Sequence, residues 1–174
     1  MSANDKILVA HASKYGATAE IAEKIGEVLG GEGLQVEVMS VKKVKDTSPY
    51  RAVVLGSAAY IGGWRKEAVA FLRDNEKLLA GRPVWLFSSG PAGEGDPVEL
   101  LKGWRFPEKV RPVIDVIKPR DITVFHGVVD PEKMNVIEKQ MMKMVKSPAG
   151  DYRDWDAITA WAMAIAGELK KPEG

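Results

Sequence analysis

Three stretches of the chain combine small residues, hydroxyls and aromatics at spacings suited to gripping a ligand. The first reads Ser13-Lys14-Tyr15-Gly16-Ala17-Thr18, with hydroxyls at 13, 15 and 18 around one glycine. It leads straight into a segment of helical periodicity. Backbone N–H groups at a helix start carry partial positive charge, and with nearby hydroxyls they hold a phosphate without needing a cation. A dinucleotide turn would need Gly-x-Gly-x-x-Gly here, and a Walker loop Gly-x-x-x-x-Gly-Lys-Ser/Thr; neither occurs. A hydroxylated turn that only caps a helix has the same composition and stands as the alternative for this loop taken alone.

The second stretch is Ser57-Ala58-Ala59-Tyr60-Ile61-Gly62-Gly63-Trp64. Small residues let a planar ligand approach the backbone, and glycine permits unusual dihedral angles. Tyr60 and Trp64 offer faces for stacking on an aromatic ring. For Trp64, closure over the core is an equal reading. The third stretch, Ser88-Ser89-Gly90-Pro91-Ala92-Gly93, is again small and hydroxylated, fit to wrap the far edge of such a ring.

The elements that must position these loops follow from hydrophobic patterning. Ile7 to Ala10, Ala52 to Leu55, Val84 to Phe87 and Ile122 to Val129 are short apolar runs without strict alternation, the last broken by His126 and Gly127. Such strands are buried on both faces, as in a parallel sheet between helices. Leu34 to Met39 alternates and reads as an edge strand. Helical periodicity spans Ala17 to Gly31, Lys66 to Leu79 and Asp154 to Lys170, with Asp154 or Asp151 as cap. Glu108 to Lys118 is a further helix whose start Pro112 obscures. The expected fold class is α/β: a doubly wound, five-stranded parallel sheet of order 2-1-3-4-5 in three α/β/α layers, with residues 1–174 as one domain. Ligands of such sheets sit beyond the carboxyl ends of the strands, where all three stretches fall.

Composition narrows the chemistry. The 174 residues hold 25 basic and 24 acidic side chains, so no basic surplus speaks for nucleic-acid binding. There is no cysteine, which removes disulfides, thiolate ligands and a dithiol couple, so redox chemistry would need a bound cofactor. His11 and His126 are the two histidines, too few for a histidine-rich metal site; both lie near strand ends, where they read as structural, with contact to the site as the alternative. No metal site is expected. No apolar run approaches the ~20 residues of a membrane span, and no leader is evident, so a cytoplasmic protein is expected.

Taken together, the three loops resemble those of the flavodoxin superfamily, whose phosphate loop is Thr/Ser-x-Thr-Gly-x-Thr; here Tyr15 replaces the middle threonine. The resemblance spans nearly the whole chain. It implies that FMN binds non-covalently, with its phosphate on Ser13, Lys14, Tyr15, Gly16, Ala17 and Thr18. Its ring would lie between Ser57, Ala58, Ala59, Tyr60, Ile61 and Gly62 on one side and Ser88, Ser89, Gly90, Pro91 and Gly93 on the other. The flavin itself would accept electrons, with no catalytic side chain required.

The C-terminal third is similar to that of the flavodoxin-like protoporphyrinogen dehydrogenases: a helical insert at about 131–150, then Asp154-Trp155-Asp156 opening the last helix. The branch implies activity on a porphyrinogen or its quinone acceptor; the alternative is an electron carrier with no organic substrate. Within the insert, Met134, Ile137, Met141, Met144 and Val145 form an apolar stripe among Lys133, Lys139, Lys143 and Lys146. The helix 132–146 suits a membrane surface or a redox partner, or else packs on the domain. Acidic carriers repel electrons from their flavin. This chain is near-neutral, and Lys14 and Arg65-Lys66, if they face the cofactor, would make it less strongly reducing. Lys14 turned to solvent would lose that effect.

Overall fold

The computed structural model describes residues 5–60, 63–91, 95–144 and 149–171, apart from the side chains of Tyr60, Met141 and Met142. The main sheet holds β1 (Lys6–Ala12), β2 (Val36–Ser40), β3 (Tyr50–Tyr60), β5 (Val84–Ser89) and β6 (Asp121–Phe125), all parallel, in the order β2-β1-β3-β5-β6. A two-residue strand, β4 (Gly63–Trp64), turns back antiparallel on the end of β3. Setting β4 aside, the order is the expected 2-1-3-4-5.

Alternation along these strands feeds two cores. Leu8, Ala10, Val53, Leu55, Val84 and Leu86 face one layer, and Ile7, Val9, Ala52, Val54, Trp85 and Phe87 the other. The first is covered by α2 (Lys66–Asp74), α3 (Glu76–Ala80) and α5 (Arg111–Ile117), through residues such as Phe71, Leu72, Leu79 and Ile114. The second is covered by α1 (Ala17–Gly31) and α7 (Trp155–Leu169), through Ile21, Ile25, Leu29, Ile158 and Ile165. Strands buried on both sides explain the near-continuous apolar runs. β2, at the sheet edge, is half-buried throughout.

Two expected elements come out divided. The helix expected over 66–79 breaks at Asn75, whose amide donates to the Phe71 carbonyl at 2.8 Å while its side-chain oxygen accepts from Thr47 Oγ1 at 2.8 Å. A side chain that bonds the backbone carbonyl competes with the helix ladder. The run 122–129 ends as a sheet strand at Phe125. Val128–Val129 (β7) pairs instead, antiparallel, with Gly150–Asp151 (β8), closing the base of the insert. Between them lie a turn of 3₁₀ helix (Pro131–Lys133) and α6 (Val136–Met144). A short α4 (Pro97–Leu100) is capped by Asp96. Asp154 caps α7, accepting from the Ala157 amide at 3.0 Å; Asp151 grips Arg153.

Candidate functional site

Register brings the loops together. Ala12 lies beside Ser57, Ser57 beside Ser88, and Ser89 beside Phe125, so the connections leaving β1, β3, β5 and β6 emerge at one edge of the sheet. The first enters α1 through Gly16, which holds φ 95°, a conformation glycine adopts without strain. Ser13 Oγ accepts from the Gly16 amide at 2.8 Å and shapes the turn. No side chain caps α1, and a Cβ built on Gly16 would meet nothing within 4 Å. The helix start is open on its outer side, and its amide dipoles point there.

The later loops pack backbone to backbone. A Cβ on Gly90 would lie 2.7 Å from the Ala59 carbonyl oxygen, and one on Gly127 would lie 2.9 Å from Gly90 Cα. The Gly90 amide donates to the Phe125 carbonyl at 3.2 Å, and the Gly127 amide to the Pro91 carbonyl at 3.1 Å. His126 is buried, with Nδ1 3.1 Å from the Pro91 carbonyl and Nε2 2.6 Å from that of Gly95, so it spans the third loop from inside. His11 is half-buried in β1. Burial lowers its pKa, helped by Lys43 and opposed by Glu23.

Accessible surface comes from Ser13, Lys14, Tyr15, Gly16, Ala17, Ala59, Gly90 and Pro91, whereas Thr18, Ser57, Ala58, Ser88 and Ser89 are buried. The serine hydroxyls serve the protein itself. Ser57 Oγ accepts from the Arg65 amide at 3.0 Å, and Ser88 Oγ accepts from Trp64 Nε1 at 2.8 Å. Trp64 is buried in the core, the second of the two readings given for it. Ile61, Gly62, Ala92 and Gly93, and the ring of Tyr60, lie outside the described residues. A groove of about 480 Å³ between Val41–Thr47 and α2 shares no residue with these loops.

The flavodoxin-domain sequence profile matches residues 8–156, most of the chain. The chain belongs to the flavodoxin-domain family. No curated protein matches the sequence. Among solved structures, the chain superposes on rubredoxin:oxygen oxidoreductase of Desulfovibrio gigas with TM-score 0.61 and 18% identity, over 95% of this chain and 36% of that one. Thus it corresponds to about a third of that protein's length. It also superposes on an archaeal flavodoxin (TM-score 0.56, 19% identity, 95% and 99% covered) and on flavodoxin 2 of Bacillus cereus (0.56, 20%, 94% and 99%). At such identities the superpositions show the three-layer fold. Proteins with this domain bind FMN and pass electrons to redox partners.

The chain fits that cofactor on its own geometry: the uncapped α1 start and the open space at Gly16 suit the phosphate of a flavodoxin ligand. Two residues that sequence reasoning did not single out also reach the 13–18 loop, one from the insert and one from just after it. Glu138 on α6 accepts from Lys14 Nζ and from Tyr15 OH. Arg153 holds Asp151 through Nε at 2.9 Å and Nη2 at 2.7 Å, and also approaches the Ala17 carbonyl and Glu20, each at 3.5 Å. The Tyr152 amide donates to the Gly127 carbonyl at 3.0 Å, so the end of the insert is tied to two site loops. No sequence spacing signals either contact, because 124 residues separate Lys14 from Glu138.

These pairs revise the expected electrostatics. Lys14 is ion-paired to Glu138, which raises its pKa, and its ammonium lies over the Tyr15 ring at 5.1 Å. Arg65 pairs with Glu67 at 3.1 Å. Two of the three cations expected to favour a reduced, anionic flavin, Lys14 and Arg65, are thus paired with local carboxylates. For the insert, the sequence leaves two readings open, an outward-facing surface and packing on the domain. Val136, Ile137 and Met144 are 73%, 68% and 83% exposed, so α6 does not bury these apolar residues on the domain.

Proposed function

We propose that this chain binds FMN non-covalently at the edge formed by its three loops and transfers electrons through it. Ser13, Lys14, Tyr15, Gly16, Ala17 and Thr18 would form the phosphate site, with Thr18 supporting the turn from beneath. The ring would sit between the 57–62 and 88–93 loops, lined by Ala58, Ala59, Tyr60, Ile61, Gly62, Ser89, Gly90, Pro91 and Gly93, with Ser57 and Ser88 holding the two walls. The carrying observation is Gly16: an uncapped helix start whose outer side is open, set among two further glycine-bearing loops. When bound, the isoalloxazine supplies the redox chemistry, and the chain orients it and tunes its surroundings. Titration with FMN should give saturable quenching of flavin fluorescence. Bulky replacements at Ser13 and Thr18 should abolish it; retained affinity would overturn the phosphate assignment.

A narrower reading is an enzyme of the protoporphyrinogen dehydrogenase type, which oxidises a porphyrinogen and hands the electrons to a quinone. The family match carries the flavodoxin domain and not that branch. What favours the reading is the insert, anchored beside the phosphate loop with Val136, Ile137 and Met144 turned outward among Lys139 and Lys143. That surface suits an apolar substrate, a redox partner or peripheral contact with a membrane from the cytoplasm. Among the described residues no helix is long and apolar enough to cross a membrane. FMN-loaded protein incubated with protoporphyrinogen and menaquinone should form porphyrin. Turnover of neither, with rapid electron exchange with small redox proteins, would leave the carrier.

A further inference from the structure

The insert meets the phosphate loop through one carboxylate. Glu138 lies in the first turn of α6, where its amide donates to Asn135 Oδ1 at 2.8 Å and fixes the start of the helix. Its two oxygens are divided: Oε1 takes Lys14 Nζ and Oε2 takes Tyr15 OH. The Glu138 side chain is 13% exposed, against 73% and 68% for its neighbours Val136 and Ile137. Among its described side chains, α6 therefore turns a charge inward and Val136, Ile137 and Met144 outward, the reverse of what solvation alone would choose. Burial works to raise the Glu138 pKa, yet the bonds from Lys14 and Tyr15 outweigh it and hold the carboxyl below its ordinary value. The inward group is an anion.

We propose that Glu138 is a built-in competitor for the phosphate: carboxylate and phosphate ester draw on the same two loop donors, so FMN binds by prising Glu138 from Lys14 and Tyr15. The inference rests on the FMN reading above. Tyr15 has one hydroxyl proton and can give it to one acceptor at a time. A phosphate monoester brings between one and two negative charges, and two anions sharing one loop repel. Loading is then coupled to α6. Once its inward anchor is lost, the helix bearing Val136, Ile137 and Met144 is held less tightly, and the outward surface beside the flavin changes with occupancy. Riboflavin, which lacks the phosphate, leaves Glu138 in place.

The two flavins supply the test. Full-length protein and Glu138→Gln are titrated with FMN and with riboflavin at low ionic strength, following fluorescence quenching. The glutamine variant keeps the side chain's shape and removes its charge. It should bind FMN about tenfold more tightly, as expected for relief of one close, partly screened repulsion, while riboflavin affinity stays the same. In wild type, amide hydrogen exchange across 136–144 should quicken with FMN and not with riboflavin. Weaker or unchanged FMN binding by the variant, or equal shifts for both flavins, would overturn the proposal by reducing Glu138 to a structural brace. A chain that takes up neither flavin in either form would instead overturn the FMN reading itself.

Discussion

Trp64 Nε1 donates to Ser88 Oγ at 2.8 Å, and that hydroxyl donates onward to the Arg105 carbonyl at 2.8 Å. One relay thus joins β4, which folds back after β3, to the end of β5 and on to Arg105, across the two sides of the proposed ring slot. Trp64→Phe keeps an aromatic ring in the core, removes the donor and leaves a smaller side chain. The variant should lose about 1–2 kcal/mol of stability, the range for breaking one buried hydrogen bond, and bind FMN more weakly because the slot is less well held. Urea unfolding beside a flavin titration checks both. Unchanged values for the two would show that packing alone sets the slot.

The opposite wall depends on glycines. A Cβ on Gly127 would sit 2.9 Å from Gly90 Cα and 3.2 Å from Gly90 N, all backbone, so no side-chain rotation can relieve it. Gly127→Ala should therefore push the 90 and 127 loops apart, costing about 1–3 kcal/mol as overpacking does. Flavin affinity should fall in the same variant, since the displaced backbone is part of the proposed ring wall. A melting temperature and a flavin dissociation constant matching wild type would show that the loops yield freely.

Most of the frame was legible because its signals are local. The strand cores and the span Ala17–Gly31 follow from hydrophobic period, and the α1 bounds match to the residue. The break at Asn75 was not legible, since it depends on Thr47, which is distant in sequence. Nor was the pairing of Val128–Val129 with Gly150–Asp151, because two-residue strands carry no periodicity of their own.

The site was legible as loops and illegible as contacts. Gly16 and Ser13 announce a helix-start turn by type and spacing alone. Whether Ser57 and Ser88 face a ligand or the protein depends on Trp64 and Arg65, and those bonds form only once β4 folds back. Amphipathic patterning alone leaves open whether the apolar side of α6 faces the domain or outward. The structure turns Val136, Ile137 and Met144 outward while Lys14 and Tyr15 offer Glu138 two donors, an interaction no hydrophobic pattern encodes.

Two glycines one turn apart on α1 should respond with opposite signs. A Cβ on Gly26 would lie 2.3 Å from Val38 Cγ2 on β2, whereas one on Gly30 meets nothing within 4 Å. Gly26→Ala should destabilise by about 1–3 kcal/mol, because the clash is with the β-branched Val38, whose stiff χ1 makes yielding costly. Gly30→Ala should stabilise by about 0.5–1 kcal/mol, since alanine restricts the unfolded chain and favours helix. Paired thermal melts decide the matter. Equal shifts for both would mean α1 does not pack on β2 as closely as described.

Alkaline pH should destabilise the fold through Tyr50. Its hydroxyl donates to the Glu37 carboxylate, which Lys6 Nζ also contacts at 2.9 Å, and Tyr50 is 5% exposed. Burial first, then the bond to Glu37, pushes the Tyr50 pKa up from 10.0 to about 12. The folded protein therefore holds this proton where the unfolded chain has released it. The stabilisation is whole below pH about 10 and is lost as pH rises from there through 12, which amounts to at most about 2–3 kcal/mol. The part-exposed Lys6–Glu37 pair lets solvent screen some of it. Tyr50→Phe removes the titrating group, so its urea midpoint should fall less steeply than that of wild type over this window, after a loss of about 1 kcal/mol at neutral pH for the missing bond. Lysine deprotonation is common to both proteins and cancels in the comparison. Parallel alkaline curves would mean that Tyr50 titrates normally in the fold, and that Glu37 is held by Lys6 alone.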